Sequence, residues 1–352
     1  MNSASSKIKS INNRLWTQGL YSDILRNLYK KRVKWIPWLK PFPRYVEIEV
    51  TTRCNLKCVM CEHTYWKEPI RDMSFDEFKH IVDQFPGLKW AGLTGIGESF
   101  LNKDFLNMVR YLRSKHISVE LSDNFFLVNE KIARELLEAG LELVYLSLDA
   151  ATKETYEKIR VNSKWDTVIK NFKNFIKMRD EMGLKKPHIN FYYVVLKNNM
   201  HEMLQYLDLV NSFNLDRPEV CFTPLLHAFK EAEHLSVKLT DDLIEKVEDR
   251  GKELGIKISW NQNVHKLPPI NKCYAWLMPY IFPTGHVVAC CAVNEANQRE
   301  YRKKTALGNI YEKSFKEIWN DEAYTTLRKK ISRGEVPIQC KYCPIYDVGA
   351  KK

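Results

Sequence analysis

Seven of the nine cysteines fall into two sets whose spacing suits metal chemistry. Cys54, Cys58 and Cys61 are spaced C-x3-C-x2-C inside YVEIEVTTRCNLKCVMCEHTYW, directly after a strand-like run. Three thiolates so close in sequence can converge on one centre, and three is one fewer than a closed iron–sulfur cluster takes. A cubane held by three protein ligands keeps one iron open to an outside ligand, much as catalytic zinc keeps an open position. The competing reading is a zinc knot of the same cysteines with His63, although Cys61-x-His63 is tighter than usual zinc-ligand separations. The second set is Cys273, Cys290, Cys340 and Cys343, two near the hairpin-like PYIFPTGHVVACC and two as C-x2-C near the C-terminus. Four thiolates close a cluster with no open site, or equally hold a structural zinc.

These residues need elements to position them. From Tyr45 the pattern alternates strand and helix. YVEIEVT, KWAGLTG, ISVELS, LELVYLSLDA, HINFYYVVL and PEVCFTP read as strands, with LELVYLSLDA short and buried. SFDEFKHIVDQF, KDFLNMVRYLRSK, NEKIARELLEAG, WDTVIKNFKNFIKMRDEMG and MHEMLQYLDLVNSF read as the intervening helices. Ser74 and Glu77 sit in capping-box positions, and Gly140 suits a helix end. Six strands with five helices between them imply βαβ units, a parallel sheet and right-handed crossovers. The expected fold class is α/β, and six units are too few for a full eight-stranded barrel. The first cysteine loop then lies at the C-terminal face, where such barrels place their chemistry. TDDLIEKVEDRGKELG and IKISW add a helix and a strand before the proline-marked boundary KLPPINK. PYIFPTGHVVACC reads as a hairpin around Gly285, and SFKEIWNDEAYTTLRKKIS as a helix broken near Asn320.

The C-x3-C-x2-C loop after the first strand resembles that of the radical S-adenosylmethionine (SAM) enzymes. In that family SAM chelates the open iron through its amino and carboxylate groups. Cleavage of SAM gives a 5′-deoxyadenosyl radical that takes a hydrogen atom from substrate. The resemblance implies an open partial (β/α)6 TIM-like barrel, with Met60, before the last cysteine, packing near the adenine. LTGIGESFLN resembles the family's glycine-rich GGEP motif for the SAM amino group. Gly97 and Glu98 match it, while Ile96 and Ser99 depart from it. A glycine would let the backbone approach SAM, and a carboxylate would meet an ammonium. LSLDA looks like the segment that contacts the SAM ribose or carboxylate, through Ser147 and Asp149. Arg160 is a candidate for the carboxylate, and Ser122 or Asp123 in LSDNF for a further contact. Cys273, Gly285 and Cys290 fit the pattern C-x9–15-G-x4-C of SPASM/Twitch-type auxiliary-cluster domains, with Cys340 and Cys343 completing four ligands. The cofactors implied are SAM and two [4Fe–4S] clusters, one binding SAM and one auxiliary. Cys221 and Cys291 are either packing residues or hydrogen donors to a substrate radical.

The organisation expected is a basic arm (1–44), a radical SAM partial barrel (45–225), a connector (226–270) and an α+β auxiliary-cluster domain (271–352). The chain has 352 residues, 45% hydrophobic and 28% charged, which is globular rather than disordered. Net charge is +12, yet residues 1–44 carry ten Lys or Arg against Asp23 alone. Basicity therefore belongs to the arm, and nucleic acid is not an expected partner of the body. Residues 11–30 form an amphipathic pattern, followed by cations mixed with Trp and Pro. That composition suits either packing on the barrel or peripheral membrane contact through residues 1–40. No signal peptide or apolar span is evident, and nine cysteines without one suggest metal ligands in a reducing cytoplasm. The function expected is oxidation, epimerisation or another C–H modification of a sugar, lipid-linked or peptide substrate, with a reductant such as flavodoxin or ferredoxin. The rival is a non-enzymatic zinc protein binding an anionic polymer such as RNA.

Overall fold

The computed structural model describes residues 42–225, 230–260, 267–291, 299–343 and 345–349. The basic arm up to residue 41, with its expected amphipathic helix, lies outside them. No described helix is long and apolar enough to cross a membrane.

The chain enters the sheet as β1 (Tyr45–Ile48), and the cysteine loop follows with β2 (Lys57–Cys58) and the one-turn helix α1 (Glu62–Tyr65). Helix α2 (Phe75–Asp83) opens on a reciprocal cap: Glu77 N–H donates to the Ser74 hydroxyl, and Ser74 N–H to the Glu77 carboxylate. Then come β3 (Trp90–Leu93), α3 (Phe105–Ser114), β4 (Ser118–Asp123), α4 (Glu130–Ala139) and β5 (Leu143–Ser147). Gly140 ends α4 in the left-handed region at φ 78°. They are followed by α5 (Lys153–Ile159), β6 (Arg160–Val161), α6 (Trp165–Glu181), β7 (His188–Val195), α7 (Met203–Asn211) and β8 (Glu219–Pro224). Strands β1, β3, β4, β5, β7 and β8 pair in parallel in that order, the partial barrel expected. Apart from this sheet, β2 pairs antiparallel with β6, setting Cys58 opposite Arg160.

Two additions extend the sheet. Helix α8 (Asp241–Leu254) and β9 (Lys257–Trp260) form a seventh unit, with β9 parallel to β8. Gly251 makes this seat: a Cβ there would lie 3.0 Å from the Ile256 carbonyl oxygen and closer still to the Ile258 side chain. At the other edge β10 (Tyr280–Ile281) runs parallel to β1, and β11 (His286–Val288) turns back at Gly285, φ 82°. Helix α9 (Arg299–Lys304), β12 (Gly308–Asn309), α10 (Phe315–Asn320) and α11 (Glu322–Arg333) complete the C-terminal segment, with the helical break at Asp321. The sheet has ten strands, so the C-terminal segment is hydrogen-bonded into the barrel.

Period-two alternation divides the sheet's faces. Val46, Ile48, Val119, Leu121, Val144, Leu146, Phe191 and Tyr193 are buried among the helices. Leu143–Ser147 alternates too, rather than being buried throughout. The opposite, lumen face carries Tyr45, Glu47, Trp90 and Glu120 near the strand starts. The Tyr45 hydroxyl donates to Glu47 at 2.9 Å and to Glu120, and Trp90 Nε1 donates to Glu120 at 2.7 Å. Tyr145 and Tyr192 stack at 4.4 Å on the same face.

Candidate active site

The first cysteine loop is fastened from several sides. The Asn102 amide donates to the carbonyls of Val50 (2.7 Å) and Met73 (2.8 Å), and Thr51 donates to Asp72 (2.6 Å). Arg53 pairs with Asp72 and also donates to the Leu101 carbonyl. His63 is committed to the same packing: Nε2 lies 2.9 Å from the Thr52 carbonyl, and the ring sits 5.2 Å from Trp66. Burial raises the thiols of Cys54, Cys58 (to about 11) and Cys61 (to about 12). Backbone N–H groups of Leu56 and His63 donate to Cys54 and Cys61, the kind of support a coordinated thiolate needs. Met60 is buried with Leu56, Ile159 and Leu196 beside them.

The turn after β3 docks on this loop. A Cβ on Gly97 would lie 2.6 Å from the Arg53 carbonyl oxygen and closer still to that of Thr51, while Glu98 N–H donates to Arg53 at 2.6 Å. The glycine expected to make room for SAM thus makes room for the cysteine loop's backbone. Glu98 is fully buried, with one oxygen taking the backbone and side-chain N–H groups of Asn124. Its other oxygen, and Oδ2 of buried Asp123, receive no N–H or O–H from any other described residue. Burial and Asp123 raise the Glu98 carboxyl, and burial raises Asp123; the two share a hydrogen bond. Two buried carboxyls beside Cys54, neither in an ion pair among the described residues, are a fitting seat for an ammonium. Ser122 and Ser147 are half-buried on the lumen face.

Asp149 and Arg160 take other partners than those expected of them. Asp149 Oδ2 receives Arg160 Nε (2.7 Å) and Nη2 (2.6 Å), and Oδ1 receives the Val194 N–H (2.7 Å). Both side chains are buried, so Asp149 is saturated by protein and acts by placing Arg160. Arg160 in turn lies within electrostatic reach of Cys54, Cys58 and Cys61.

The second set also converges. Cys273, Cys290 and Cys340 are buried and Cys343 is half-buried. Burial pushes Cys273 and Cys340 up to about 12, and Cys290 is raised first by burial and then by Cys273, Cys340 and Cys343. Ala275 and Trp276 N–H groups donate to Cys273. Among the described residues no three His, Cys, Asp or Glu side chains converge as a lone metal ion requires. Tetrahedral zinc would draw its sulfurs within about 4 Å of one another. With His63 engaged elsewhere, the donor sets fit clusters, which bind thiolates through several irons.

Sequence models of known families match on both sides. That of the Radical SAM superfamily matches residues 48–210, and that of an iron–sulfur cluster-binding domain, SPASM, matches residues 273–344. Together these matches support a radical SAM enzyme with a C-terminal auxiliary-cluster domain. Among curated relatives, the tungsten-containing aldehyde ferredoxin oxidoreductase cofactor-modifying protein of Pyrococcus furiosus is 29% identical, over 86% of this chain and 88% of its own. Mycofactocin maturase MftC of Mycobacterium tuberculosis is 24% identical, over 85% of this chain and 75% of its own. Streptococcus suis SuiB bound to S-adenosylmethionine shares the fold, with TM-score 0.63 and 19% identity, over 82% of this chain and 68% of that one. This radical SAM chain therefore takes SAM and two [4Fe–4S] clusters as its cofactors, and the zinc-protein alternative is not supported.

Two features at the sites carry no local mark in the sequence. Arg299 inserts between Trp66 (4.9 Å) and Phe282 (4.5 Å) and pairs with Glu49 (2.8 Å) and Glu68 (3.0 Å). Its side chain is 3% exposed and that of Glu49 0%, so a buried ion pair joins the C-terminal segment to the end of β1. Arg302, one turn on, is buried within electrostatic reach of Cys290, Cys340 and Cys343.

Proposed function

We propose that this radical SAM enzyme abstracts hydrogen from a peptide, or from a cofactor precursor of peptide-like size, held in the barrel lumen. The cation-deficient Glu98–Asp123 pair beside the three-cysteine loop carries this reading, because it gives the open-iron site a matching acceptor for SAM's ammonium. Cys54, Cys58 and Cys61 would hold the cluster that binds SAM. Met60, with Ser122 and Ser147, would border the nucleoside, and Asp149 would keep Arg160 in place. Cys273, Cys290, Cys340 and Cys343 would hold the auxiliary cluster. Bound together, SAM and its cluster supply a radical able to abstract hydrogen.

The substrate class draws support from the printed names of relatives, one a maturase and one a cofactor-modifying protein. A SuiB structure contains the precursor peptide SuiA, and there the likeness is one of fold. The lumen supplies aromatic and carboxyl groups, Tyr145, Tyr192, Glu47 and Glu120, suited to a polar substrate larger than a simple sugar. Cys221 sits on β8 opposite Tyr192, and Cys291 lies within electrostatic reach of Tyr45. Either thiol would be placed to return a hydrogen atom in an epimerisation, and a net oxidation would need neither.

The test is anaerobic purification followed by reduction with SAM. About eight irons per chain and formation of 5′-deoxyadenosine are expected. A chain loaded with both clusters that leaves SAM intact would sink the reading.

A further inference from the structure

The C-terminal cysteine site contains a cation that no carboxylate of the described residues neutralises. Arg302 is 1% exposed. Its Nη1 donates to the Gln339 carbonyl at 2.8 Å, but Nε and Nη2 are buried with no acceptor among the described residues. No carboxylate of those residues pairs with it. A buried guanidinium normally finds acceptors for its fork, because leaving charged donors unsatisfied in a low-dielectric interior costs several kcal/mol. The groups at hand that become negative on binding a cluster are the thiols of Cys290, Cys340 and Cys343. Gln339 adjoins Cys340, so the single protein acceptor also orients the guanidinium toward the cysteine set.

We propose that Arg302 is the charge partner and hydrogen-bond donor of the auxiliary cluster, its two unsatisfied N–H groups meeting cluster or cysteinyl sulfur, and that it sets the cluster's reduction potential. This rests on the reading of Cys273, Cys290, Cys340 and Cys343 as cluster ligands. A four-thiolate cluster gains one further negative charge on one-electron reduction. A fixed cation at hydrogen-bond distance stabilises that added charge, and hydrogen bonds to sulfur and local charge are known controls of cluster potential. Arg302 is thus a positioning and tuning residue; it is assigned no contact with substrate.

The experiment uses the full-length chain carrying C54A/C58A/C61A, so that only the auxiliary cluster is seen, titrated with reductant and followed by electron paramagnetic resonance. Four irons and a reducible cluster in this parent establish the site; their absence would overturn the cluster reading itself. R302Q, in the same background, is expected to retain four irons while its reduced-to-oxidised ratio at fixed potential falls at least tenfold, about 59 mV for one electron. R302K, which keeps the charge and loses the planar fork, should fall between. An R302Q cluster with a ratio within twofold of the parent would overturn the proposal. If R302Q does not load iron, the parent grown on [15N]arginine decides. A nitrogen hyperfine coupling to the reduced cluster that R302K abolishes supports the proposal, and no such coupling overturns it.

Discussion

Two buried arginines stand against the two cysteine sites, and their surroundings differ in one respect. Arg160, beside the three-cysteine loop, is clamped by Asp149, which is 0% exposed, so arginine and aspartate together add no net charge. Arg302, beside the four-cysteine site, has among the described residues only the Gln339 carbonyl as acceptor. The first site therefore offers little to stabilise an added electron, and the second offers a full positive charge. If both cysteine sets hold clusters, that difference favours electron release at the first and retention at the second. The contrast suits a site that must deliver an electron to SAM and a partner able to receive one after substrate oxidation.

The largest expected effect separates the sites outright. C54A/C58A/C61A should abolish 5′-deoxyadenosine formation while leaving about four irons per chain; loss of all iron would show that the two sites do not assemble independently. C340A/C343A should retain SAM cleavage uncoupled from substrate, with product formation reduced far more than 5′-deoxyadenosine. R299A attacks the link between the regions. It strands buried Glu49 without its cation and should lower stability by about 3–5 kcal/mol, read as a lower denaturation midpoint of the loaded chain. D149N makes the first site resemble the second by leaving Arg160 uncompensated, while the amide oxygen still accepts the Val194 N–H. The midpoint potential at that site should rise and SAM cleavage slow about tenfold, roughly 1.4 kcal/mol in barrier; an unchanged potential would break the comparison at its base.

Much of this was legible in the chain. The cysteine spacings, the Ser74–Glu77 cap, Gly140, the Gly285 turn and six of the parallel strands follow from local pattern, and local pattern is what determines them. Lys257–Trp260 reads as a strand too, but of a connector; its place in the sheet beside β8 depends on Gly251 seating a helix against Ile258. Asp149 and Arg160 stand out in the sequence as candidates for SAM, but nothing there shows that they pair with each other. Their pairing follows from the β2–β6 ladder, which brings Arg160 opposite Cys58. Arg299 and Arg302 lie in REYRKK, a run that looks like a solvated helical turn until the sheet carries it against β1 and the cysteines. Sequence alone shows neither the burial nor the partner, since each is supplied by residues tens to hundreds of positions away.

The Glu49–Arg299 pair also has a consequence in time. Its halves are 250 positions apart. At ribosomal rates of about 5–20 residues per second, Arg299 is made ~12–50 s after Glu49. Throughout that interval Glu49 is without the cation it meets in the folded protein. The loop that carries the first three cysteines is among the first parts synthesised, and the residues flanking it, Glu49, Trp66 and Glu68, gain their contact with Arg299 only when the far end of the chain arrives. Iron loading at that loop is therefore expected on released, full-length protein, and a nascent chain halted before Arg299 should leave the loop open to thiol-modifying reagents.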